Sequence, residues 1–168
     1  MSLVHVYSFA FDAHVVGTNQ SSQQRLGLAA SFGIIFGIFL KGFYGTATHS
    51  SVLYAEIMAN LHGLDLCWVN GYRKIECYSD SLQAVALIRD GVSPHHQYAN
   101  EIQSIRHLLR RDWIVAVIHT LREGNACADV LAKMGSSESS AQVVLDEPPP
   151  QLSSALHADA LGVAFARD

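Results

Sequence analysis

The chain has 168 residues, enough for one domain with a single buried core. It is 49% hydrophobic and 15% charged with a formal net charge of -4, which excludes a disordered chain or a generally basic one, so a polyanionic ligand would need a local basic patch. Cys67, Cys77 and Cys127 are odd in number, widely spaced and without a Cys-x-x-Cys pair, which argues against a disulfide framework and a zinc knuckle and for a reducing compartment.

Val4 to Phe11 alternates and is rich in Val, Tyr and Phe, as a strand should be. The first 17 residues carry no Lys or Arg before an apolar stretch and are interrupted by His5, Asp12 and His14, so no signal peptide is expected. Gly17 to Gly27 reads as a Ser/Gln-rich loop. Leu28 to Phe36 and Ile38 to Thr48 read as two strands joined at Gly37, giving an antiparallel meander with the first. The apolar run Phe32 to Leu40 is nine residues long and holds two glycines. A membrane helix needs roughly 20 residues, so the run is strand material and no membrane partner is expected.

Ser50 or Ser51 can cap a helix in which Leu53, Ile57, Leu61, Leu64 and Trp68 recur at helical spacing up to the stop Asn70-Gly71. Arg73 to Tyr78 is a short strand. Ser79 or Asp80 then caps a second helix that runs to Arg89 and ends at Asp90-Gly91. After Ser93-Pro94, one face of a third helix carries Tyr98, Ile102, Ile105 and Leu109. Trp113 to Thr120 is nearly continuous in apolar residues, which predicts a strand covered on both faces. A last helix starts near Asn125 and ends by Gly135. Residues 136–168 form a Ser/Pro-rich linker and tail, with Leu152 to Phe165 able to pack back as one helix, so the expected domain is 1–135.

Three acids stand beside apolar neighbours in this order: Glu56 in Tyr54-Ala55-Glu56, Asp80 in Tyr78-Ser79-Asp80-Ser81, and Asp129 after Gly124-Asn125-Ala126-Cys127-Ala128. Carboxylates are costly to bury unless something cationic meets them, so acids that a fold gathers suggest a hard-metal site. Each also has a plain structural reading. Asp80 alone is an adequate helix cap, and Asn125 is another. The third helix ends in Arg106, Arg110 and Arg111, cations that suit phosphate and equally suit the helix macrodipole. No glycine-rich phosphate loop follows a strand, which sets aside an unrelated α/β small-molecule domain.

These motifs, with His119-Thr120-Leu121-Arg122-Glu123-Gly124-Asn125-Ala126-Cys127-Ala128-Asp129, resemble the ribonuclease H family, closest to plant domains related to retrotransposon reverse transcriptases. The resemblance implies an α/β ribonuclease H-like fold with a mixed five-stranded sheet, three antiparallel strands then two parallel, flanked by helices. It further implies metal-dependent endonucleolytic hydrolysis of the RNA strand of RNA/DNA hybrids, with two Mg²⁺ ions, or Mn²⁺ in their place, held by Asp12, Glu56, Asp80 and Asp129. Asp12 is the sole acid before Glu56 and takes the family's first-strand position. Counting back from Asp129, the place where many relatives carry a loop His falls on Arg122, which stays protonated and so suits substrate phosphate. Asn60, one turn after Glu56, is a candidate for reading RNA 2′-hydroxyls, with Arg106, Arg110 and Arg111 on the nucleic-acid backbone.

The sequence departs from the family at one edge. It has Asp12-Ala13-His14 where Asp-Gly or Asp-Ala-Ser is usual, a long following loop, and a hairpin at Phe36-Gly37 about four residues short. These departures carry an alternative: a catalytically weakened domain that binds nucleic acid or serves as an interaction module. A monomer in the nucleus or cytoplasm completes the expectations.

Overall fold

In the computed structural model, the described residues are 3–13, 25–34, 38–47, 51–121, 126–137 and 142–160, with backbone alone for 4–13, 25–34, 136–137 and 159–160. Val4–Ala13 (β1), Arg25–Ile34 (β2) and Ile38–Thr46 (β3) form the antiparallel meander. β2 begins at Arg25, inside the stretch read as a loop, because Arg25 to Gly27 complete the ladder against Phe11 to Ala13. The proposed joint at Gly37 lies outside the described residues.

Ser51 caps Val52–Val69 (α1), its Oγ accepting from Tyr54 N at 3.3 Å, and the helix ends at Asn70 with Gly71 at φ 81°. Lys74–Ser79 (β4) then pairs parallel with β1, and Ile114–His119 (β5) pairs parallel with β4. Between them lie Leu82–Asp90 (α2) and Ala99–Leu109 (α3). The cap of α2 is Ser81, whose Oγ accepts from Ala84 N at 3.1 Å, rather than Ser79 or Asp80. Ser79 is still strand and Asp80 forms the bend between the two elements.

Ala126–Ser137 (α4) follows, then Val143–Leu145 (β6), a 3-10 turn at Pro150–Leu152 and Ser153–Ala160 (α5). The sheet therefore has six strands, in the order β5-β4-β1-β2-β3-β6, instead of the five expected. The added strand comes from the segment read as linker. Val143 to Leu145 pair with Gly42 to Tyr44, Lys41 Nζ bonds Asp146 Oδ1, and Leu152 is fully buried.

Alternation along β3 sends neighbouring side chains into two cores. Phe43 joins Ile57, Leu64, Ile75, Ile88, Ile102 and Ile105 under α1, α2 and α3. Tyr44 joins Ala128, Leu131, Ala132 and Leu152 under α4 and α5. Among the described residues α4 lies over β1, β2 and β3, and β5 is the edge strand beside β4. Alternate residues of β5, Ile114 and Ala116, are exposed, so β5 is not covered on both faces as its composition suggested. Val115 and Val117 pack on the first core, while Ile114 is 69% exposed. Among the described residues, no helix is long and apolar enough to cross a membrane.

Candidate carboxylate site

The inner face of β4 and one face of α1 meet in two polar rungs inside an otherwise apolar core. Residues two apart on a strand and four apart on a helix are both separated by about 6–7 Å, so the rungs stay in step. In the first, Cys77 Sγ donates to Asn60 Oδ1 at 3.3 Å, and Asn60 Nδ2 donates to Glu56 O at 2.8 Å. In the second, Ser79 Oγ donates to Glu56 Oε2 at 3.3 Å. Glu56 is only 3% exposed, so its carboxylate needs such partners.

Ser79 also fixes the turn that follows. Its Oγ accepts from Ser81 N at 3.3 Å, and its carbonyl accepts from Thr120 N at 2.9 Å, beyond the end of β5. Asp80, half-buried, sits between the two serines at the C-terminal end of a parallel strand, where open α/β sheets commonly bind ligands. The fold therefore brings Glu56 to the turn that carries Asp80.

The other two acids stand differently. Asp129, in the first turn of α4, is 21% exposed and pairs through Oδ2 with Lys133 Nζ at 2.6 Å. Lys133 is thus engaged by an acid one turn away. Asp12 is the penultimate residue of β1 and pairs with Leu26. Ser8 opposite Ser79 is the last pair of the β1–β4 ladder, and Asp12 lies four residues farther along β1. That is about 13 Å of strand. Among the described residues, no three of His, Cys, Asp and Glu form a group able to hold a metal ion.

A family model described as reverse transcriptase-like matches residues 17–135. The chain belongs to that family. An Arabidopsis thaliana protein named for ribonuclease H is 30% identical over 150 residues, which span 88% of this chain and 24% of that protein. The chain thus spans about a quarter of that relative's length. Ribonuclease H1 of the archaeon Halobacterium salinarum superposes with a TM-score of 0.65 at 18% identity, over 80% of this chain and 97% of that one. LC11 ribonuclease H1, isolated from compost by a metagenomic approach and solved in complex with an RNA/DNA hybrid, gives 0.65 at 16% identity, over 80% and 96%. Together these establish a ribonuclease H-like domain close to plant ribonuclease H proteins.

The cationic residues of this ribonuclease H-like domain divide by what their side chains touch. Arg106 donates from Nη1 to Ile88 O at 2.9 Å and Arg89 O at 2.7 Å, so it closes the C-terminus of α2 rather than offering its charge outward. Arg111 is half-buried with its guanidinium 4.9 Å from the Trp68 ring centre, and Arg73 stacks on the same ring at 3.8 Å. Arg110, at the end of α3, is exposed. Arg122 lies outside the described residues. Asn60 is fully buried with both ends of its amide engaged, so it holds the core together and does not face a ligand.

Sequence reasoning passed over Ser79 as more than a helix cap. The signal was present: a strand whose Ile75 and Cys77 point inward places Ser79 inward as well, directly before Asp80. A groove of about 510 Å³ between α1 and α3, lined by Asp65, Asn100, Gln103, Ser104, His107 and Arg111, is a separate feature. Asp65 lies nine residues, or about 13 Å, along α1 from Glu56.

Proposed function

We propose that this domain hydrolyses the RNA strand of RNA/DNA hybrids endonucleolytically, with divalent metal held by carboxylates that include Glu56 and Asp80. The observation that carries the reading is the buried Glu56 carboxylate, bonded by Ser79 at the root of the turn bearing Asp80, in a member of this family. The donor set suits hard cations such as Mg²⁺ or Mn²⁺, which take anionic oxygen and little else. Bound there, such ions would supply an activated water and stabilise the leaving oxygen. Asp12 and Asp129 are the further ligands in this reading, and Arg110 and Arg122 meet substrate phosphate. Similarity to LC11 ribonuclease H1, solved with a hybrid bound, supports the substrate class.

A second reading, a weakened domain that binds nucleic acid without efficient cleavage, is favoured by two observations. Lys133 pairs with Asp129, and Asp12 lies four residues beyond Ser8, the ladder partner of Ser79. A labelled RNA/DNA hybrid incubated with Mg²⁺ separates the two. Cleavage that EDTA stops and Asp80→Asn removes supports hydrolysis; a hybrid that is retained in a binding assay yet cut no faster than by Asp80→Asn supports the second reading.

A further inference from the structure

We propose that Ser79 is a positioning residue for the Glu56 carboxylate, acting on the reaction through Glu56 and touching neither substrate nor metal itself. The proposal rests on the hydrolytic reading of Glu56 and goes beyond it by assigning the group that orients this acid. The terminal torsion of a glutamate is broad, so a carboxylate reached by a long side chain has no fixed plane of its own. Here the backbone of Glu56 is held by Asn60 and its carboxylate by Ser79, and both holders are tied to β4, Asn60 through Cys77.

The hydroxyl of Ser79 is suited to this because it uses donor and acceptor functions at once. It gives its hydrogen to Glu56 Oε2 and accepts from Ser81 N, so one oxygen sets both the carboxylate and the bend that carries Asp80. Ser79 is fully buried beneath that bend, which keeps water from replacing it. Its own backbone is pinned by the bond from Thr120 N to its carbonyl at 2.9 Å. Removing the hydroxyl would leave the fold's ladders intact while taking the Ser79 bond from the carboxylate.

The test compares Ser79→Ala, Ser79→Val and Ser79→Thr in the full chain, with thermal melts to confirm folding. Val and Thr share a shape and differ in the hydroxyl; Ala removes the hydroxyl without adding bulk. Two readouts are taken: kcat and KM on a labelled hybrid with Mg²⁺, and the carbon-13 carboxyl resonance of Glu56 in metal-free protein. The expected result is a kcat lower by about tenfold or more for Ala and Val, KM within about twofold, and recovery in Thr to within about threefold of the parent. The Glu56 resonance should move in Ala and Val and stay in Thr. A folded Ser79→Ala with the parent's kcat, or with an unmoved resonance, overturns the proposal. Should the parent itself cut no faster than Asp80→Asn, the hydrolytic reading fails separately, and the Glu56 resonance alone decides whether Ser79 orients this carboxylate.

Discussion

Gly135, near the end of α4, lies backbone to backbone on Gly45 of β3: a Cβ at 135 would stand 2.4 Å from Gly45 O and 2.8 Å from Gly45 N. The adjoining Thr46 Oγ1 donates to Gly135 O at 3.0 Å and ties the same two elements. Real Cβ atoms do not approach backbone so closely, and neither neighbour is a flexible side chain that could swing away. Gly135→Ala should therefore lift α4 from the sheet and cost about 2 kcal/mol or more, at the upper end of ordinary overpacking. Urea unfolding monitored by fluorescence checks this; a midpoint equal to the parent's would show that α4 is free to shift.

Arg106 and Arg110 are separated by four residues on α3 and should respond to substitution in opposite ways. Arg106 satisfies two carbonyls at the end of α2, so Arg106→Ala should destabilise by about 1–2 kcal/mol and leave hybrid affinity nearly unchanged. Arg110 is exposed, so Arg110→Ala should leave the melting point alone. If it contacts phosphate, the slope of log affinity against log salt falls by about one. Titrations at several salt concentrations decide between phosphate contact and a helix-end charge.

The division of labour among these arginines marks what the sequence could convey. Helical spacing located α1 and α3, and the order of Glu56, Asp80 and Asp129 pointed to the family, because period and motif order are local or one-dimensional properties. Which arginine is spent on a neighbouring helix end depends on a contact 18 residues away, from Arg106 to Ile88, and nothing local announces it. Asn60 misled for the same reason: one turn from Glu56 is a substrate-facing position only if that face looks outward, whereas β4 covers it. β5 read as doubly covered because Trp113 to Thr120 is apolar, yet α4 lies over β1, β2 and β3, and Ile114 and Ala116 of β5 are exposed. Val143 to Leu145 were too few to signal a strand without β3 beside them.

His62, in α1, packs edge-on against Phe43 with ring centres 6.0 Å apart. Burial holds its imidazole below the ordinary pKa, and Asp65 opposes this more weakly. Its folded pKa thus lies below its unfolded value of about 6.5, so the unfolded chain takes up the proton first. Stability from this group is complete above the unfolded value and is lost as pH falls below it toward the folded one. Urea midpoints measured down from about pH 7.5 to 5.5 should decline more steeply for the parent than for His62→Leu below about pH 6.5. Parallel declines would remove His62 as the cause.

The three cysteines should separate kinetically with a thiol reagent near neutral pH. The reactive species is the thiolate, and both access and charge control its supply. Cys67 is fully buried, and burial, with Cys77 nearby, pushes its thiol above the ordinary range. Cys77 is equally buried and donates to Asn60. Cys127, in the first turn of α4, is half-buried and so within reach of reagent. One thiol per chain should react quickly and vanish in Cys127→Ser, while Cys67 and Cys77 react only as fast as the core opens. That slow phase should quicken in Gly135→Ala, because opening becomes easier as stability falls. A fast phase that survives Cys127→Ser would show that the strand β4 and helix α1 part without global unfolding, and with them the rungs that hold Glu56.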